Sequence, residues 1–132
     1  MATNVNAEFV IIGDIFDPNV VTQRLGIEPH GYWIKGEEVP KEPIKRKDTN
    51  WWIHTDYEHS FDIMCQLSKL INILQNKKNI LKELKTTYDL DYLFLVVINV
   101  EEDEKPAIAL DSSFITFASD IGAEFEVDLY IY

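Results

Sequence analysis

Tyr92-Leu93-Phe94-Leu95-Val96-Val97-Ile98-Asn99-Val100 is the stretch on which the fold turns, with Asp89 and Asp91 ahead of it and Glu101-Glu102-Asp103-Glu104 behind. The run is too short to cross a bilayer as a helix, and its β-branched and aromatic side chains favour an extended backbone. It therefore reads as the central strand of the sheet. A strand with one wet face alternates apolar and polar residues, whereas this one is apolar at consecutive positions, so cover is expected on both faces. Helices would supply one cover. A long loop, a bend of the sheet or a second subunit is expected to supply the other.

Upstream, Glu8-Phe9-Val10-Ile11-Ile12-Gly13 predicts a first strand. Asp17-Pro18 then predicts a helix N-cap followed by proline at the first helical position, with the helix running to Leu25 and stopped by Gly26. Residues 30–49 are rich in turn-formers and hold a basic cluster, Lys41, Lys45, Arg46 and Lys47. Trp33 and Ile34 open this stretch like a strand, but Pro40 and Pro43 restrict it to an edge segment or loop. Asn50-Trp51-Trp52-Ile53-His54-Thr55 predicts a strand with Trp51, Ile53 and Thr55 on one face and Trp52 and His54 on the other. Ser60 is the expected cap of a helix carrying Phe61, Met64, Leu67, Leu70, Ile71 and Leu74 at helical spacing; a polar break at residues 76–79 precedes a second helical piece.

Downstream, residues 106–110 predict a short strand, a hairpin partner of the central one. Asp111-Ser112-Ser113 caps a helix that Gly122 stops. The last strand alternates, sending Phe125, Val127, Leu129 and Ile131 toward the core and Glu124, Glu126, Asp128, Tyr130 and Tyr132 toward water or a partner. This order predicts an α+β fold in one domain, residues 1–132: a mixed, mainly antiparallel sheet with helices largely on one face, a ferredoxin-like or related two-layer sandwich.

Hydrophobic residues at 46% and aromatics at 12% place the chain among folded proteins rather than disordered ones. A net charge of -11 repels a phosphate backbone, which argues against nucleic acid and permits a basic protein partner. The N-terminal residues lack the basic start and apolar stretch of a signal peptide, and no run is long enough for a membrane helix, so a cytoplasmic location away from membranes is expected. Cys65 is the single cysteine; it leaves no internal disulfide and no cysteine-cluster zinc site, and its place beside Met64 predicts a buried thiol.

His54 and His59 flank Asp56 and Glu58, but on a strand an odd separation sends the two rings to opposite faces, and the helical zinc motif needs a separation of four. No metal site is predicted. Carboxylate pairs such as Asp14 with Asp17 or Glu126 with Asp128 would serve acid/base chemistry only if burial raised one of them. No phosphate loop or nucleophile elbow is present, so no catalytic residue and no cofactor is assigned. Two binding surfaces remain. One is a pocket between the irregular stretch and the sheet, lined by Trp33, Trp51 or Trp52 with Lys35 and His54. The other is the acidic row Glu124, Glu126 and Asp128, suited to a basic protein. A homodimer through a sheet face or edge is compatible with either.

The spacing Phe9-x-Ile11-x-Gly13, Phe16-Asp17-Pro18, Val21-Thr22, Leu25-Gly26-Ile27-x-Pro29 and Trp33-x-Lys35-Gly36, with a tryptophan before the long helix and the closing Gly122-Ala123-Glu124-Phe125-Glu126-Val127-Asp128-Leu129-Tyr130, resembles the bacterial DUF4279 family of domains of unknown function. The resemblance implies a small bacterial protein and brings no established catalytic residues. Gly13, Gly26, Gly122 and Asp17-Pro18 sit where elements begin or end, so they specify backbone geometry. Trp33, Lys35 and Gly36 are not accounted for in that way. The expectation is a non-enzymatic protein-binding module, of the immunity type that blocks a basic toxin or nuclease; the alternative is a small-molecule binder or enzyme with a tryptophan-lined pocket.

Overall fold

In the computed structural model, which describes residues 2–132, the apolar run forms β5 (Asp91–Val100). Ahead of it in the chain come β1 (Asn4–Gly13), α1 (Pro18–Leu25), β2 (Gly31–Trp33), β3 (Thr49–His54), β4 (Glu58–His59), α2 (Ile63–Leu74) and α3 (Lys78–Tyr88). After it come α4 (Ser112–Asp120) and β6 (Ala123–Ile131). The strands form a mixed sheet in the order β2-β3-β1-β5-β6, with β4 prolonging the line of β3 along β1. Among these strands only β5 and β6 run parallel, and α4 is the crossover that a parallel pair requires. The fold is α+β, as the order of elements predicts.

Caps fix where the helices begin. The Asp17 carboxylate accepts from the Asn19 N–H, and Gly26 closes α1 in the left-handed conformation at φ 68°. Asp62 rather than Ser60 caps α2, accepting from the Met64 N–H, while the Ser60 hydroxyl donates to the Gln66 side chain. The polar break is a 3-10 turn, Gln75–Lys77.

Strand period decides what the sheet buries. Val5, Ala7, Phe9 and Ile11 of β1, Trp51 and Ile53 of β3, and Tyr92, Phe94, Val96, Ile98 and Val100 of β5 share one face, and with the apolar stripes of the helices they form the core. The second cover expected over β5 is absent among the described residues. Leu93, Leu95 and Val97 remain half-buried on the opposite face, so the consecutive apolar residues serve a core on one side and an open surface on the other.

Three other expectations are corrected. Residues 106–110 form no strand, because β1 and β6 already occupy both edges of β5; Ala107 instead makes an isolated bridge with Asp62. Of the four β6 residues expected in the core, Phe125 alone packs inward, against Phe114, whereas Val127, Leu129 and Ile131 are 37%, 47% and 61% exposed. The nine-residue α4 is too short to shelter the whole of an edge strand. Cys65 is exposed, since Ile63, Gln66, Leu67, Leu70 and Leu74 take the inner side of α2. No helix of the described residues is long and apolar enough to cross a membrane.

Candidate functional site

The open face is laid out by register. Across it run three rows of side chains: Trp33, Asn50, Ile12 and Asp91; then Gly31, Trp52, Val10, Leu93 and Glu124; then His54, Glu8, Leu95 and Glu126. Asn6, Val97 and Asp128 follow in a fourth. Aromatic rings thus occupy one flank, aliphatic side chains the middle, and carboxylates the far edge. Glu8, Val10, Ile12, Trp33, Asn50, Trp52, Leu93 and Leu95 enclose a cleft of about 390 Å³, largely apolar and at the lower end of the size range of ligand sites.

The aromatic wall is held from several sides. Trp33 meets Trp52 edge to face, with ring centroids 5.1 Å apart. Arg46 lies 3.9 Å above the Trp33 ring, a cation–π contact. Its backbone is fixed by the irregular stretch closing on itself: the Gly36 N–H donates to the Arg46 carbonyl at 2.9 Å, and the Arg46 N–H to the Glu37 carbonyl at 2.8 Å. Trp52 in turn rests directly on Gly31, where an added Cβ would stand 2.3 Å from the indole Cζ2. Beside it the rings of His30 and His54 stack at 4.0 Å, and the His54 backbone N–H donates to His30 Nδ1 at 3.1 Å. Burial, then the neighbouring His54, lowers the His30 pKa, with Asp56 pulling the other way.

Trp33 Nε1, His54 Nδ1 and the Asn6 side-chain oxygen are buried without a hydrogen-bond partner among the described residues. All three side chains belong to the open face. An unmet buried polar atom costs about 1–3 kcal/mol, so this face holds unused hydrogen-bonding capacity beside its apolar floor.

The family model for "Domain of unknown function (DUF4279)" matches residues 3–132. The chain belongs to that family. No curated protein and no solved structure matches it in the other two comparisons.

The two surfaces expected from the sequence, the tryptophan pocket and the acidic row, fall on one face of this DUF4279 chain. Trp33 and Trp52 line the cleft, and Glu124, Glu126 and Asp128 border the same face along β6. Trp51 does not take part: it is fully buried in the core, where its indole N–H donates to Thr22 Oγ1 at 3.0 Å. Lys35 is not a cleft residue either; it is exposed and paired with Asp14, and its backbone N–H donates to Thr49 Oγ1. His54 shares a row with the cleft residues Glu8 and Leu95 but does not itself line the cleft. Glu8, Val10, Gly31, Arg46, Leu93 and Leu95 went unassigned in the sequence. The usable signal for Gly31 was a glycine standing two residues before a strand-like Trp33, since a missing side chain in an edge strand marks a close approach. No three His, Cys, Asp or Glu side chains gather as metal donors among the described residues.

Proposed function

We propose that this chain is a protein-binding module whose open sheet face docks a basic partner, in the manner of an immunity protein that occludes the protein it binds. One observation carries the reading: an apolar cleft shares its face with Glu8, Glu124, Glu126 and Asp128 in a molecule of net charge -11. No cation pairs with Glu124, Glu126 or Asp128 among the described residues. A lysine or arginine has the complementary form, an apolar stem for Leu93 and Leu95 and a charged head for the carboxylates, while a neighbouring apolar side chain of the partner fills the space beside Trp52. Opposite potentials speed such association and make it salt-dependent. The test uses the immobilised chain, its Trp52→Ala variant and the triple variant Glu124→Lys, Glu126→Lys, Asp128→Lys against native lysate at low and high salt. The expected result is a basic protein held at low salt by the wild type alone, with circular dichroism showing both variants folded. Retention by both variants rejects the surface.

The orphaned Trp33 indole N–H, the one such atom on a cleft-lining residue, favours a second reading, in which the cleft binds a small molecule. Such a ligand combines a flat apolar body with an acceptor for the Trp33 indole N–H and a cationic group near Glu8. Tryptophan fluorescence and melting temperature across a metabolite panel test it, and silence throughout rejects it.

A further inference from the structure

β6 ends the sheet: β5 takes one side of its backbone, and no strand among the described residues pairs with the other. The phase of that pairing is set just past its end, where the Tyr132 N–H donates to the Val100 carbonyl at 3.0 Å. In a parallel ladder alternate residues bond the neighbouring strand, and those between them point both N–H and C=O away from it. The set pointing away is therefore Phe125, Val127, Leu129 and Ile131. Their side chains lie on the helix side of the sheet, and the last three are exposed. Between them Glu124, Glu126 and Asp128 project on the open side. A long edge of unpaired backbone groups is a template for one more strand.

We propose that β6 accepts an extended segment of a partner protein in which cationic and apolar side chains alternate. Charge selects this occupant over a second copy of the chain. Pairing two β6 strands with their faces matched sets even-numbered residues against even-numbered ones, so carboxylates meet carboxylates or tyrosines, and like charges directly opposite are destabilising. A segment with lysine or arginine at every second position places a cation opposite each acid. Its apolar residues then lie beside Val127, Leu129 and Ile131, burying surface that the helices leave uncovered. Glu124, Glu126 and Asp128 serve both readings, but the outer edge of β6 with its helix-side residues belongs to this one alone, as Trp52 and the cleft belong to the docking face proposed above. The two readings can therefore fail separately.

The probe is a fluorescein-labelled nonapeptide alternating lysine and valine, with a glutamate–valine peptide as its control, at an ionic strength of about 0.15 M. Saturable binding of the lysine peptide alone is expected, weakened at least about tenfold, or roughly 1.4 kcal/mol, by Leu129→Lys. Amide exchange supplies the decisive readout. The outward-facing N–H groups of Val127, Leu129 and Ile131 slow on binding, while those of Glu126 and Asp128, already bonded to β5, stay as they were. Cations held only by the carboxylates leave Val127 and Leu129 exchanging freely, and that result overturns the proposal, as does absence of binding or equal binding of the control. Trp52→Ala leaves the peptide's affinity unchanged. Loss of partner capture in that variant with the peptide still bound separates cleft docking from edge addition.

Discussion

Trp51 and Trp52 are the same side chain at consecutive positions, and the two-residue period of a strand gives them opposite surroundings. Trp51 lies in the core and ties β3 to α1 through Thr22, so Trp51→Ala should cost about 3–5 kcal/mol in urea unfolding. Trp52 is half-buried, so Trp52→Ala should cost about 1 kcal/mol while removing the wall of the cleft. Equal losses from the two substitutions would contradict this division. Gly31→Ala tests the seat of Trp52. The new methyl collides with the indole, so the ring must turn out of the cleft; tryptophan emission should move to the red, and in a Trp52→Ala background Gly31→Ala should have almost no further effect. His30 supplies a pH dependence. Its pKa in the folded chain lies below the ordinary 6.5, so below that pH the unfolded chain binds more protons and stability rises with pH. The contribution is complete above 6.5 and is lost as pH falls from there through the folded value. Urea midpoints from about pH 7.5 down to about pH 5 should therefore fall less steeply in His30→Gln than in the wild type.

Elements with a local physical signal were legible in the sequence. Asp17-Pro18 with Gly26 bounds α1 because the cap, the proline and the left-handed glycine each act within a few residues, and β5 stands out by side-chain type alone. What depended on neighbours was not legible. An apolar run reads the same whether its second face is buried or lines an open cleft, so nothing local distinguished Leu93 and Leu95 from core residues. Residues 106–110 resemble a strand, but whether an edge remains free for them is decided by β1 and β6, far off in sequence. Val127, Leu129 and Ile131 alternate as core residues do, yet the length of α4 leaves them uncovered. The cleft was half legible for the same reason: Trp33 and Trp52 stand out as rings, whereas Gly31 and Glu8 join them only through register. The start of α2 offered two candidate caps, and the backbone chose Asp62, extended at φ -154°. Asp62→Ala should cost about 1 kcal/mol, and Asp62→Ser, which restores an acceptor at the N-cap, should recover most of it; comparable melting temperatures for the two would move the cap elsewhere.

At the scale of the whole molecule, the charge distribution governs association. The open face and the β6 edge are the two surfaces on which a second copy would sit, and both are bordered by Glu124, Glu126 and Asp128. Docking two copies through either one brings these rows together in a chain that already carries a net charge of -11. The apolar areas favour contact and the carboxylates oppose it, so protonation decides between them. At neutral pH and low salt the chain is predicted to scatter as a single 15.4 kDa species. Repulsion fades as pH falls toward the sequence pI of about 4.5, and the apparent mass should rise there. Glu124→Gln, Glu126→Gln and Asp128→Asn together should produce the same rise at neutral pH, because they remove the charge and keep the shape. Light scattering on wild type and triple variant across this range tests the balance. A wild-type dimer at neutral pH and low salt would reverse the conclusion: apolar contact would then outweigh the acidic rows, and a second copy rather than a basic partner would be the natural cover for Leu93 and Leu95.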